Sequence, residues 1–170
     1  VHAPIRNPEN KDKTKYLDEL AASTTGVIQY FKADLLLDGS YKEAMQGCEL
    51  VIHSASPFIT NTKDPQKDLV DPALKGTENV MNSILQTNSV KRVVLTSSCA
   101  AIYGDAKDIV SYPKQTMTED IWNTTSTLKK SPYNYSKTLA ERRAWEMAEG
   151  QSRFDLVVIN PSFVLGPGIN

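Results

Sequence analysis

Short apolar runs rich in β-branched residues alternate along this chain with segments of helical spacing, and this alternation constrains the fold most. The predicted strands are residues 1–6, 27–32, 50–54, 92–97 and 155–160, and the predicted helices are residues 11–23, 40–45, 65–88 and the segment from Pro132. Gly47 is expected to end the second helix, and Pro72 and Gly76 to bend the third. Such alternation produces a parallel sheet with helices on both faces. The expected fold class is α/β, a doubly wound parallel sheet.

The composition is that of one globular domain without a highly charged partner. The chain has 170 residues, 40% of them hydrophobic, and a formal net charge of −1. This charge gives no reason to expect nucleic acid or an anionic membrane as a partner, and no apolar run approaches a membrane span. No secretory leader is visible, so we expect a cytoplasmic protein. Cys48 and Cys99 fit no zinc or redox spacing, so we expect free thiols and no metal site. Nothing in the sequence specifies an oligomeric state.

The residues at the predicted strand ends point to a ligand cleft. In parallel α/β sheets, ligands bind at the carboxyl ends of the strands. Most of the residues there are small or polar, namely Arg6, Asp34, Ser54, Ala55, Ser56, Ser97, Ser98, Asn160 and Pro161. We therefore expect an extended ligand along this edge. The polar stretch 104–131 is too long for a plain connection and is predicted to form part of a pocket wall.

Two Tyr-x-x-x-Lys pairs compete for a chemical role. Tyr103 and Lys107 enclose Gly104 just after a strand, which favours a loop where this spacing aligns nothing. Tyr133 and Lys137 follow Ser131, a good helix N-cap, and Pro132, a good first helical residue. They are therefore predicted to share one helix face, from which Tyr135 points away.

A phenol beside an ammonium group has a direct chemical use. Tyrosine has a pKa near ~10, and a neighbouring cation stabilises the phenolate and lowers that pKa. Such a tyrosine can give a proton to a carbonyl oxygen while a serine hydroxyl holds that oxygen. The alternative is a solvated pair with no chemical role.

A series of motifs carries a family resemblance over nearly the whole chain. The motifs are IRNPEN at 5–10, ADL at 33–35, HSASP at 53–57, TSSCAAIYG at 96–104, YNYSK at 133–137 and INPSFVLGP at 159–167. Together they resemble an extended short-chain dehydrogenase/reductase, within the dihydroflavonol 4-reductase, cinnamoyl-CoA reductase and aldehyde/ketone reductase group. The resemblance implies a Rossmann-like fold and a Ser-Tyr-Lys triad.

The resemblance also implies a role for each matching residue. Tyr133 would be the acid/base, Lys137 would lower its pKa and bind the nicotinamide ribose, and Ser98 rather than its neighbour Ser97 would orient the carbonyl. The positions matching the cofactor site are Asp34 and Leu35 at the adenine, Ser54, Ala55 and Ser56 along the ribose and phosphates, and Pro161, Ser162, Phe163 and Val164 beside the nicotinamide.

Two basic residues bear on the choice of cofactor. Arg6 directly follows a predicted strand. An arginine at this position suits the 2′-phosphate of NADPH, and an acidic residue would suit the free 2′-hydroxyl of NADH. Lys13 matches a second basic position of the reductase group that the chain resembles. NADPH is therefore expected rather than NADH. The alternative is that both are only solvated surface charges.

The glycine-rich turn of the family is absent from the sequence. By position it would precede Val1, so we expect a truncated start without the first strand. The whole of residues 1–170 is then expected to be an NAD(P)-binding domain fragment that also lacks the C-terminal substrate-binding part.

Three functions remain in competition. NADPH-dependent reduction of a ketone or aldehyde, with a small carbonyl compound as substrate, is favoured by Arg6 and by the 159–167 motif. An NAD-dependent nucleotide-sugar epimerase or dehydratase would use the same triad. A non-catalytic dinucleotide-binding protein would not need Tyr133. His53 ends an apolar strand and is expected to be a core histidine rather than a ligand or base.

Overall fold

The computed structural model describes residues 1–59 and 62–166, which form a parallel α/β structure. The strands are β1 (His2–Ile5), β2 (Gln29–Lys32), β3 (Leu50–His53), β4 (Arg92–Thr96) and β5 (Asp155–Ile159), and the helices are α1 (Lys11–Ala22), α2 (Lys42–Met45), α3 (Asp71–Leu85) and α4 (Pro132–Ala148). Every predicted element is present, with strands one or two residues shorter than expected. No helix in the described ranges combines the length and the hydropathy needed to cross a bilayer.

The strands form two separate parallel pieces. β1 pairs with β2, and β3, β4 and β5 pair in that order, with Leu50 opposite Arg92 and Arg92 opposite Asp155. Within the described residues, β1 and β3 are not paired with each other, and a cavity of about 550 Å³ lies between them. The strands of a Rossmann fold are arranged in the order 3-2-1-4-5-6, and the gap between β1 and β3 of this chain lies where that fold has its strand 1. The parallel α/β class is confirmed, and the gap lies where the sequence predicts a strand to be missing.

The main core lies between the three-stranded piece and helices α3 and α4. On α4, small side chains face the core, since Ala140 is 8% exposed and Ala144 is fully buried. These small side chains let the helix approach the core closely. The other core residues include Val80, Met81 and Ile84 of α3, Val93 and Leu95 of β4, and Phe154 before β5.

Two local expectations about the helices need correction. The third helix is irregular before Pro72 rather than at it, because Gln66–Val70 forms a π-helical turn and the regular helix begins at Asp71. Proline has no N–H for the carbonyl four residues earlier, which favours a wider turn there. Gly76 does not interrupt the helix. The predicted ending at Gly47 is confirmed by its φ of +74°.

The start of α4 also differs from the prediction. Pro132 occupies the first turn as expected, but the Ser131 side chain makes no capping hydrogen bond. Ser131 has a φ of +59° and lies in the left-handed region, which is unfavourable for a residue with a Cβ. A proline disfavours the right-handed helical conformation in the residue before it, so Ser131 cannot simply extend the helix.

Candidate active site

A large open cavity collects the residues predicted to hold the adenosine part of the cofactor. Its volume is about 980 Å³, and it lies between the β1 end, α1 and the loop after β2. Six predicted residues line it, namely Arg6, Lys13, Asp34, Leu35, Ala55 and Ser56. The seventh, Ser54, instead lines the cavity between β1 and β3.

The two basic residues of this cavity are free to meet an anion. Arg6 and Lys13 are exposed, and neither joins an ion pair within the described part of the chain. Lys13 lies in the first turn of α1, where unpaired backbone N–H groups add partial positive charge. This arrangement suits a phosphate group.

The loop after β2 is fixed by one buried amide that the sequence analysis missed. Asn79 of α3 is 2% exposed, donates to the carbonyl of Leu37 at 2.7 Å and accepts from the N–H of Gly39 at 2.8 Å. Its amide also donates to the carbonyl oxygens of Asp34 and Leu35. The sequence does contain a sign of this role, because an asparagine inside the apolar stripe of a helix needs hydrogen-bond partners.

Gly76 allows the same loop to pack against α3. A Cβ at this position would lie 3.1 Å from Cδ2 of Leu35, closer than ordinary contact. The glycine in α3 therefore serves close packing against the loop after β2 and does not interrupt the helix.

Ser98 and Tyr133 are brought together at the carboxyl end of β4. Ser98 follows the strand in extended backbone, and its Oγ accepts a hydrogen bond from the N–H of Ala100 at 3.1 Å. Its hydroxyl lies close enough to the Tyr133 phenol to lower the pKa of that phenol. Tyr133 is in the first turn of α4 and half-buried.

The net pKa shift of Tyr133 is opposite to the expected one. Burial raises the pKa of Tyr133 above 10.0 and outweighs the lowering by Ser98, while the neighbouring Cys99 raises it further. Within the described residues, Lys137 does not lower the pKa of Tyr133 as expected. The lysine instead lines a small cavity with His53, Ser97 and Glu141.

Lys137 is unusually buried for a lysine. It is 7% exposed, and burial lowers its pKa below 10.5, while the carboxylate of Glu141 acts in the opposite direction. The alternative of a solvated surface pair is therefore wrong for this side chain. Buried lysines are rarely retained without a partner or a task.

The competing residues have other partners or none. Lys107 lies in a 3₁₀ turn and pairs with Asp105 at 3.6 Å rather than with Tyr103, as the loop prediction implies. Ser97 is 7% exposed, and its Oγ has no hydrogen-bond partner among the described residues. Ser98 influences the Tyr133 phenol, and its assignment over Ser97 stays a prediction.

The predicted nicotinamide segment is only partly at the site. The carbonyl of Pro161 accepts a hydrogen bond from the N–H of Cys99 at 3.0 Å, next to Ser98. Ser162, Phe163 and Val164 are exposed and line none of the three cavities above. Their role beside a nicotinamide stays a prediction, and Pro167 of the same motif lies outside the described residues.

One aromatic side chain over the site was not anticipated. Phe58 meets the Tyr133 ring edge to face, with the ring centroids 5.3 Å apart, yet it is 71% exposed. An exposed phenylalanine beside the phenol is an apolar surface open to solvent. The HSASP motif ends one residue earlier, so only its position after that motif could have marked it.

The 104–131 stretch packs beside the site through Asn123 and Asp108. Asn123 is 7% exposed and donates to the carbonyl of Ala100 at 2.8 Å. Asp108 accepts from the hydroxyl of Thr125 at 2.6 Å and from the N–H of Asp105 at 3.0 Å. This stretch is therefore anchored to the turn that carries Ser98, and its role as a pocket wall stays a prediction.

His53 is buried, as expected for a core histidine. It is 5% exposed, and burial, followed by the charge of Lys137, lowers its pKa to about 4. The imidazole is therefore neutral at physiological pH. No cluster of potential metal ligands is found within the described residues.

Comparison with known proteins gives consistent relatives. The chain is 42% identical to cinnamoyl-CoA reductase CAD2 of Medicago truncatula over 98% of its own length and 51% of the relative. It is 34% identical to dihydroflavonol 4-reductase of Gerbera hybrida, covering 99% of itself and 46% of the relative. The chain spans about half the length of the curated relatives it matches.

Solved structures and a family profile agree with these relatives. Yeast methylglyoxal/isovaleraldehyde reductase Gre2, solved with NADPH, superimposes with a TM-score of 0.82 at 29% identity, covering 100% of this chain and 52% of the other. The profile of the 3-beta hydroxysteroid dehydrogenase/isomerase family matches residues 4–170. The chain therefore belongs to the 3-beta hydroxysteroid dehydrogenase/isomerase family of extended short-chain dehydrogenases/reductases, with cinnamoyl-CoA and dihydroflavonol reductases among its relatives.

Proposed function

We propose that this chain carries the cofactor site and the Ser-Tyr-Lys triad of an NADPH-dependent reductase that converts a ketone or aldehyde to an alcohol. The observation that carries the proposal is the meeting of Ser98 and Tyr133 at the β4 end, with Lys137 one helical turn further along α4. The named reductases among the relatives support the same reaction class.

The cofactor site is proposed along the large cavity and the strand ends. Arg6 and Lys13 would bind the 2′-phosphate, and Asp34 and Leu35 would contact the adenine. Ser54, Ala55 and Ser56 would follow the ribose and phosphates, and the segment from Pro161 to Val164 would lie beside the nicotinamide. A cavity of about 980 Å³ with two free cations supports NADPH over NADH. NADPH supplies the hydride when bound.

The protein's own residues would handle the proton. Because burial raises the pKa of Tyr133, its phenol is protonated at neutral pH and can donate to a carbonyl oxygen. Ser98 would hold that oxygen in place. Lys137 would bind the nicotinamide ribose and stabilise the phenolate after the transfer.

The other two functions have weaker support. An epimerase or dehydratase would use NAD, and the free cations at Arg6 and Lys13 favour the phosphorylated cofactor. A dinucleotide-binding protein without activity gives no reason for a phenol acid at Tyr133 beside the Ser98 hydroxyl.

A cofactor and substrate panel tests the proposal. The protein, expressed from its complete coding sequence, is assayed with aldehydes and ketones and with either NADPH or NADH. We expect consumption of NADPH with at least one carbonyl compound, and a kcat/KM about tenfold or more above that with NADH, as one phosphate contact would give. Absence of turnover together with NAD retained through purification would favour the epimerase instead.

A further inference from the structure

Glu141 lies on the same face of α4 as the proposed triad, one turn beyond Lys137. Residues 133, 137 and 141 are spaced four apart and therefore follow one stripe along the helix. Glu141 is 6% exposed, although carboxylates are seldom buried without a partner. Its burial indicates that the surrounding residues compensate the charge.

Its carboxylate is linked to the backbone of Ser98 through the side chain of Asn160. Nδ2 of Asn160 donates to Oε2 of Glu141 at 2.8 Å and to the carbonyl oxygen of Ser98 at 3.1 Å. A single amide therefore joins α4, the end of β5 and the residue proposed to hold the substrate oxygen. A hydrogen bond to a charged acceptor is stronger than one between neutral groups, which stiffens this link.

Glu141 also shares a buried space with the lysine. A cavity of about 10 Å³ is lined by Glu141, Lys137, His53 and Ser97. His53 is neutral because burial lowers its pKa to about 4, so Glu141 supplies the negative charge in this space. Other titratable or charged groups on or next to the elements packed against α4 are Cys99 and Tyr103 after β4, Lys67, Asp68, Asp71 and Lys75 before and in α3, Glu78, which pairs with Arg143, and Asp155 of β5, which pairs with Arg92.

We propose that Glu141 is a positioning residue for carbonyl reduction. It fixes Ser98 through Asn160, and its negative charge keeps the Lys137 ammonium group protonated. This inference rests on the proposed function. It separates two tasks on one helix face, with Tyr133 meeting the substrate and Glu141 maintaining the charge and geometry of the other two members.

A charge-removing substitution tests the proposal in the protein expressed from its complete coding sequence. Glu141→Gln keeps the size and an acceptor for Asn160 but removes the negative charge. Loss of that charge lowers the pKa of Lys137, which the proposed mechanism needs in its protonated form. We expect kcat/KM to fall about tenfold and the alkaline limb of its pH dependence to move about one pH unit lower.

Matched variants separate this role from plain structural support. Glu141→Asp retains the charge and should keep the alkaline limb of kcat/KM at the wild-type pH. Glu149→Gln, at the exposed end of the same helix, should change neither the rate nor the position of the alkaline limb. If Glu141→Gln does not fold, Glu141→Met replaces it, since a neutral apolar side chain needs no hydrogen-bond partner. The same shift is expected.

The outcomes distinguish this inference from the proposed function. A folded neutral variant whose alkaline limb stays at the wild-type pH overturns the role of Glu141, even if its rate falls. A wild-type protein without NADPH-dependent carbonyl reduction overturns the proposed function itself. A shift in Glu141→Gln that Glu141→Asp reverses supports both.

Discussion

The two halves of the proposed site are built in opposite ways. On the β1–β2 side, Arg6 and Lys13 are exposed around a wide cavity and lack ion-pair partners in the described part of the chain. On the β4–α4 side, Lys137 and Glu141 are both less than a tenth exposed and surround a small space. Water screens charges on the first side and is largely excluded from the second. The first half is therefore suited to binding a charged ligand, and the second to setting protonation states.

The largest expected stability effect comes from His53 on the buried side. Its pKa is about 4 when folded and 6.5 otherwise, so the unfolded chain binds a proton first as the pH falls. The stabilisation that the neutral imidazole contributes is fully present above pH 6.5 and is lost as the pH falls from 6.5 to 4. The loss in the free energy of unfolding amounts to about 3 kcal/mol. Urea unfolding at several pH values should show this loss, and His53→Gln should remove it. An unchanged pH dependence in the variant would show that His53 is not the group responsible.

A buried anchor on the open side should give the next largest effect. Asn79→Ala removes the partners of the Leu37 carbonyl and the Gly39 N–H, and leaving such groups unpaired costs about 2 kcal/mol. Thermal unfolding should show this loss, together with weaker NADPH binding as the 34–39 loop loosens. Asn82→Ala, exposed on the same helix, is the matched control. Equal stability of the two variants would contradict the role of Asn79.

The exposed cations should have the smallest effect, confined to one cofactor. Arg6→Ala is expected to raise the KM for NADPH about tenfold, or about 1.4 kcal/mol, and to leave the KM for NADH unchanged. Lys15→Ala, an exposed lysine of α1 that pairs with Glu19, serves as the control. An equal rise of KM for both cofactors would place Arg6 away from the 2′-phosphate.

The sequence predicts the elements well because burial marks them. The run at 92–97 is apolar because β4 is the central strand of the three-stranded piece, and the small residues of α4 mark its close packing. The run at 50–54 is equally apolar, although β3 is an edge strand within the described residues and Leu50 and Ile52 are exposed. The predicted strands are one or two residues longer than the observed strands, because the hydrogen-bonded pairing between strands ends before the apolar pattern does. The conformation of Ser131 was missed because the good N-cap residue there precedes a proline.

The electrostatics of the site could not be predicted in the same way. The Tyr-x-x-x-Lys spacing predicted a lowered pKa for Tyr133, but the direction depends on how deeply the phenol is buried. The partner of Glu141 is Asn160, which follows β5 and also donates to the carbonyl oxygen of Ser98 after β4. Helical spacing shows which residues share a face, and only tertiary packing shows which of them lose contact with water.

Turnover of Tyr133→Phe with NADPH, compared with Tyr135→Phe, tests the central claim most directly. The first variant removes the proposed acid, and the second removes a phenol from another face of the same helix. We expect Tyr133→Phe to lose about 10²–10⁴-fold in kcat while it still binds NADPH, and Tyr135→Phe to keep its activity. Full turnover in Tyr133→Phe would contradict the claim that this phenol delivers the proton.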